Sequence, residues 1–344
     1  MKLNRRSLLC TALLALTSMA LTPADALAQD KKVRVRLATL VPKGTSFHTS
    51  LQEMSDQWQK ASGGNVQVTI YTDGTMGGEA DMVRRMRVGQ IQAALLSAPG
   101  LAQIEDSVRG LQLMPLMFAS LEEFDYVREK LRADLEKKFL DKGFVVLYWG
   151  DAGWVRFFSK FPAQRPDDFK KGKMFVWSGD KDSATIMKAV GINAVGLEQT
   201  DILTSLQTGL IDSVPSVPFY ALAGQFDKPA PHMLDINWVP LVGATVITKK
   251  AWDEIPVNIQ AQLRKSADEA GVKIKKRSRE EAEESVVAMQ KRGLKVTKLT
   301  PELQKEWNAF AESVYPQIRG KVVPAELFDQ VQKLVKEYRA NGGK

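Results

Sequence analysis

The chain of 344 residues carries 48 lysines and arginines against 40 aspartates and glutamates, a formal net charge of +8, with two histidines and one cysteine. So mild a basic excess, without a basic stripe interleaved with aromatics, argues against a nucleic-acid partner. The densest basic cluster, 273–279, runs straight into Glu280, Glu281, Glu283 and Glu284 and reads as a solvated helix face.

The first 28 residues have a basic start (Lys2, Arg5, Arg6), an apolar run from Leu8 to Leu21 and Ala26-Leu27-Ala28 before Gln29, the layout of a cleaved export signal. The run is too short, and too often interrupted by Thr11, Thr17 and Ser18, to be a retained membrane helix. Cleavage near Ala28–Gln29 would deliver 316 residues to the periplasm, with a net charge of +6 after the loss of three basic residues and one acidic one. Arg5-Arg6 is compatible with both the general secretory and the twin-arginine route. Cys10 falls inside this segment, so the mature chain would have no disulfide, thiol nucleophile or thiolate metal site. A chain of that size buries a sufficient core unaided, and two lobes are expected of it.

Val33–Ala38 and Val66–Tyr71 alternate with the period of two expected of strands. Between them Phe47, Leu51, Met54, Trp58 and Ala61 recur at three and four, one face of a helix over 46–61. Asp73-Gly74 turns the chain, Glu79–Val88 is predicted helical with Gly89 as its stop, and Ile91–Ser97 is a short strand. A second unit starts after Gly143, with strands at Phe144–Trp149, Trp154–Ser159 and Lys173–Trp177. Helices are predicted at Asp182–Val190 and Thr200–Thr208, each followed by glycine, and Ile211-Asp212 leads into a proline-rich loop. No Gly/Ser-rich or charged tract separates the units, so two α/β lobes sharing crossing strands fit better than domains on a string.

Pro256–Arg292 reads as one long helix. Apolar residues recur at Ile259, Leu263, Ala267 and Ala270, proline suits the first turn, and Lys291, Arg292 and Gly293 mark the end. Fully helical, the segment would extend about 55 Å, enough to serve both lobes as a spine. Gly271 leaves two helices kinked at that point as the alternative.

Catalytic patterns are lacking. His48 and His232 stand apart from any metal-binding spacing, there is no Gly-x-Ser-x-Gly elbow, and Gly74–Glu79 lacks the Gly-Lys-Ser/Thr of a phosphate loop. The chain is therefore read as a non-enzyme without a metal or cofactor.

Several segments together resemble the substrate-binding subunits of tripartite ATP-independent periplasmic (TRAP) transporters, the DctP family. They are Leu37-Ala38-Thr39 with Pro42-Lys43-Gly44-Thr45 and His48; Asp73–Glu79 followed by Val88–Ile91; Pro166–Lys173; Ser205–Asp212; and Ala251-Trp252 with Ile255-Pro256. The resemblance implies a two-lobed periplasmic binding protein fold of the α/β class, with hinge strands and a long helix spanning both lobes. The implied boundaries are discontinuous: 29–153 plus 242–277 for lobe I, and 154–241 plus 278–344 for lobe II. It further implies capture of a small-molecule organic solute by cleft closure, a monomer, and delivery to small and large TRAP membrane subunits for ion-coupled uptake, without ATP.

In the family's Lys-Ile/Leu-Arg-Val stretch an arginine forks onto a substrate carboxylate; here that place is Phe175. A phenyl ring packs on an apolar face but neutralises nothing. Arg156, which falls where the resemblance places a second cleft arginine, is expected to hold a single acidic group, with a lobe-surface ion pair as the alternative. Trp154 and Trp177, with Phe219 and Tyr220 nearby, point to an aromatic pocket, with core packing as the alternative for each ring. Ser97, Ser216 and Glu79 complete the candidate set, with Ser178 and Gln225 as further hydrogen-bonding residues. The expected solute is a monocarboxylate with an apolar or aromatic body. The alternatives are a ligand-binding sensor docking on a receptor, a periplasmic enzyme on the same scaffold, and a carrier of an apolar, non-acidic ligand.

Overall fold

The computed structural model describes residues 32–178 and 180–343. The expected export signal, its cleavage point and Cys10 lie outside the described residues.

β1 (Val33–Thr39), α1 (Ser46–Ala61), β2 (Val66–Tyr71), α2 (Glu79–Arg87), β3 (Ala93–Ser97) and the one-turn α3 (Ala98–Leu101) come first. A 3-10 segment at Asp106–Leu111 and α4 (Leu121–Asp141) lead to β4 (Phe144–Trp154), which passes almost without a break into β5 (Arg156–Ser159). β6 (Lys173–Trp177), α5 (Lys181–Ala189), β7 (Asn193–Leu197), α6 (Ile202–Thr208), β8 (Ser213–Ser216), α7 (Pro218–Ala223) and β9 (His232–Asp235) follow. Then come β10 (Pro240–Thr248), α8 (Lys249–Asp253), α9 (Val257–Gln290), β11 (Lys295–Lys298), α10 (Pro301–Ile318) and α11 (Ala325–Ala340).

Two sheets result, in the orders β2-β1-β3-β10-β4 and β11-β9-β5-β8-β6-β7. β1 is parallel to β2 and β3, and β6 is parallel to β7 and β8, while β10 and β5 run antiparallel to their neighbours. As extended chain the protein crosses between the sheets from β4 to β5 through Val155 and back from β9 to β10, and α9 then carries it over again to β11. The two extended crossings lie side by side: Val155 N donates to Val239 O at 2.8 Å and Trp238 N donates to Val155 O at 3.2 Å. This is the two-lobed α/β arrangement with hinge strands.

α9 is one unbroken helix of 34 residues, about 51 Å long. Gly271 does not break it. A Cβ there would lie 2.8 Å from Cβ and Cδ2 of Tyr148, so glycine is what lets the helix press on β4. Leu263 O accepts from Trp58 Nε1 of α1 at 3.0 Å, and Ser278 Oγ donates to Asp151 O of β4 at 2.7 Å. At the far end Arg292 pairs with Asp227, which follows α7, at 2.7 Å.

Two differences from the sequence expectations have local causes. The proline-rich loop after Asp212 contains β8, whose Pro215 sits opposite Phe157 of β5; β8 touches β6 only at Ser213, so the missing N–H breaks no bond on that side. The C-terminal helices serve both sheets. Trp307 of α10 stacks on Phe157 of β5 at 5.6 Å, but α11 lies against α4, where Arg339 pairs with Glu123 at 2.6 Å. Val331 and Val335 of α11 join Phe124 and Val127 of α4 in the core beside the first sheet.

Candidate solute-binding site

Strands β1, β3, β6 and β8 all end at one cavity of about 170 Å³. Open α/β sheets present their binding crevices at the carboxyl ends of parallel strands, because backbone and helix starts converge there. Leu95, Leu96 and Ser97 close β3 on one side, and Phe175, Val176 and Trp177 close β6 on the other. β4 contributes Tyr148 and Gly150–Ala152, the hinge contributes Val155 and Trp238, and α9 contributes Ile274. Gly243 of β10 lies in the wall and must be glycine, because a Cβ there would meet Leu96 O at 2.9 Å, a backbone atom that cannot give way.

The lining is mostly apolar. Phe175 is 3% exposed and meets Trp177 edge-on with ring centroids 5.3 Å apart. Tyr220 of α7 adds a third ring, and it also packs edge-on against Phe219 at 5.4 Å.

Glu79, the first residue of α2, is the polar focus. Oε1 accepts from Ser97 N at 2.7 Å, and Oε2 accepts from Ser97 Oγ at 2.6 Å and from Gly100 N at 3.0 Å. Burial raises the Glu79 pKa above its ordinary 4.5; those three hydrogen bonds pull it back, and the charge of Glu198 pushes it up again. Burial, and then the Glu79 charge, raise the Tyr220 pKa, so its hydroxyl keeps its proton.

Two further carboxyl groups line the cavity, each with a cation behind it. Asp151 of β4, with no side-chain exposure, pairs with Arg279 of α9 at 2.8 Å, and burial works against the effect of Asp151 and Asp125 in raising the Arg279 pKa. Asp180 caps α5 through Ser183 N and Oγ and lies 3.7 Å from Arg109. Among the described residues no lysine, arginine or histidine lines the cavity.

Of the seven residues singled out in the sequence, Phe175, Trp177, Ser216, Ser97 and Glu79 line this cavity, and Arg156 and Trp154 do not. Arg156, expected to face the cleft, forms the alternative ion pair instead. Its Nη2 lies 2.8 Å from Glu283 Oε1 and its Nε 3.2 Å from Asp235 Oδ1, so both its acidic neighbours come from the protein itself. Val155, between Trp154 and Arg156, is the residue that reaches the cavity, as alternation along an extended chain requires. Trp154 packs instead on the core beside α4. Tyr220 lines the cavity, whereas Phe219, Ser178 and Gln225 do not. Tyr148, Gln112, Asp151 and Asp180 were not anticipated. Only Asp151 left a signal, a lone carboxylate inside an otherwise apolar strand.

The sequence profile of DctP, bacterial extracellular solute-binding protein family 7, matches residues 37–321. An uncharacterized protein, YiiZ, of Salmonella typhimurium is 27% identical over 173 residues, 49% of this chain and 52% of its own length, so that match spans about half of the relative. The C4-dicarboxylate-binding periplasmic protein DctP of Rhodobacter capsulatus is 22% identical over 237 residues, 67% of this chain and 70% of its own. Among solved structures, the sugar acid binding protein DctPAm of Advenella mimigardefordensis in complex with galactonate superposes with a TM-score of 0.83 at 17% identity, covering 89% of this chain and 99% of that one.

Proposed function

Because this chain belongs to bacterial extracellular solute-binding protein family 7, the DctP family, a transport component and not an enzyme, we propose that it captures one organic solute with an apolar or aromatic body and delivers it to TRAP membrane subunits. The observation that carries this reading is the cavity of about 170 Å³ lined from both sheets, with Phe175 and Trp177 on one side and Ser97 and Glu79 on the other. A solute touching both sides gains contacts only when they are together, which is what makes a ligand drive closure. Phe175 offers it an apolar face.

The hinge is the pair of crossings at Val155 and Val239. The proposed lobe division keeps the discontinuous boundaries of the sequence reading except that α11, packed on α4, moves with the first sheet. Export to the periplasm with cleavage near Ala28–Gln29, and action as a monomer, belong to the same proposal.

Thermal-shift screening of the purified protein against small organic solutes tests the capture reading. A solute at a hundredfold its Kd adds about 2.7 kcal/mol to stability. Reconstitution of the cognate membrane subunits in proteoliposomes tests delivery: uptake should need this protein, the solute and an ion gradient. Binding without uptake would turn the reading toward a sensor that docks on a receptor.

A further inference from the structure

We infer that the cavity takes a solute without a carboxylate, an amide, alcohol or amine on an apolar or aromatic body, which turns a hydrogen-bond donor toward Glu79. The inference rests on the capture reading above and specifies its chemistry.

Among the described residues the charged groups in the lining are all acidic: Glu79, Asp151 and Asp180. The cations beside them are already matched by acids. Arg279 lies between Asp125 and Asp151, at 2.9 and 2.8 Å. Arg109 lies 3.3 Å from Asp106, 3.0 Å from Asp182 and 3.7 Å from Asp180. Arg156 is held by Asp235 and Glu283. A solute carboxylate would enter with no cation to meet it and would lose its water beside Glu79, an arrangement a low-dielectric site penalises strongly.

Glu79 differs from the other two carboxyls in having no ion pair among the described residues. Three donors, Ser97 N, Ser97 Oγ and Gly100 N, hold it as hydrogen bonds hold a carboxylate. They do not saturate it. Oε1 accepts one bond where a carboxylate oxygen can take two, and the residue lines the cavity. A donor arriving from the solute completes that oxygen, whereas a solute lacking one leaves a buried acceptor short of partners. The rings of Trp177 and Tyr220 supply apolar surface for the rest of the solute, and an amine would add charge complementarity.

The test titrates the purified protein calorimetrically with matched carboxylate, primary amide and amine probes on phenyl, cyclohexyl and butyl bodies, in wild type and in Glu79→Gln. The amides or amines are expected to bind at least tenfold more tightly than the carboxylate on the same body. Glu79→Gln should cut that preference by tenfold or more while the variant keeps a cooperative unfolding transition. A carboxylate that binds more tightly than its amide and amine overturns the inference and leaves the capture reading standing. A preference that Glu79→Gln does not alter removes Glu79 as its source and overturns it too. No binding of any probe, on any body, overturns both readings. If Glu79→Gln fails to fold, the wild-type comparison alone decides.

Discussion

Arg279 reaches from α9 to Asp151 of β4, with Nη2 2.8 Å from the Oδ2 of a carboxylate whose side chain is wholly shielded from solvent. The same guanidinium lies 2.9 Å from Asp125 of α4, so one cation ties the spine helix to two elements beside the first sheet. Removing Asp151 leaves a partly buried cation with one partner and frees the N–H of Gly153, which donates to Asp151 Oδ1 at 3.2 Å. Asp151→Ala is expected to lower unfolding stability by about 3 kcal/mol, the low end for a broken buried pair because Asp125 remains. Urea unfolding checks it. Asp151→Asn should lose less, since its amide oxygen still accepts from Gly153.

Arg109, in the 3-10 segment beside the first sheet, contacts Asp182 of α5 beside the second at 3.0 Å. If the contact forms on closure, Arg109→Ala penalises the closed state alone. With Asp182 40% exposed, the pair contributes about 0.5–1 kcal/mol, so the solute Kd should rise about two- to fivefold with little change in the midpoint of the free protein. Calorimetry against the best-binding solute measures the first quantity and thermal melting the second. A lowered midpoint with unchanged affinity would show a contact present in both states.

Gly271→Ala sets two effects against each other. Alanine favours the helix by about 1 kcal/mol, yet its methyl would stand 2.8 Å from two atoms of the Tyr148 side chain, which is 2% exposed and would have to be pushed toward the cavity. Overpacking of this kind costs about 1–3 kcal/mol, so the variant should be less stable than wild type. A more stable variant would mean that α9 and β4 separate freely.

Glu79 has a pKa raised by burial, so the folded chain holds that proton more tightly than the unfolded chain does. Its contribution to stability is fullest below the ordinary value of 4.5 and is lost as pH rises through the higher, folded value. Glu79→Gln cannot titrate, so its stability relative to wild type should improve as pH rises across that window. Ser97 and Gly100 donate to the carboxyl from β3 and α3, and Glu198 adds repulsion from the segment after β7. Removing Glu198 should therefore shrink the effect. Urea midpoints of both proteins from pH 4 to 7 measure it, and parallel curves would falsify the raised value.

Much of the fold was legible because its signals are local. β1, α1, β2 and α2 follow from periods of two and 3.6 with Asp73-Gly74 and Gly89 as punctuation, and Gly89 does adopt a left-handed φ of 76°. Phe175 and Trp177 were legible for the same reason: both sit at the end of a clear strand. β8 was not, since Pro215 argues against a strand until one sees that β8 meets β6 only at Ser213, so the missing N–H breaks no bond on that side. Arg156 was misplaced because its two acids, Asp235 and Glu283, are far away along the chain.

The amino-acid order by itself determined the sequence of elements, the lack of histidine pairs and the phenyl ring on the Lys173–Trp177 strand, because each depends on neighbours in the chain. Tertiary structure alone decided which residue of Trp154-Val155-Arg156 faces the cavity, which cations are already neutralised, and that Glu79 has no cation beside it among the described residues. Side-chain direction is set by the strand crossing at the hinge, and charge balance by partners more than a hundred residues apart, as Arg156 and Glu283 are.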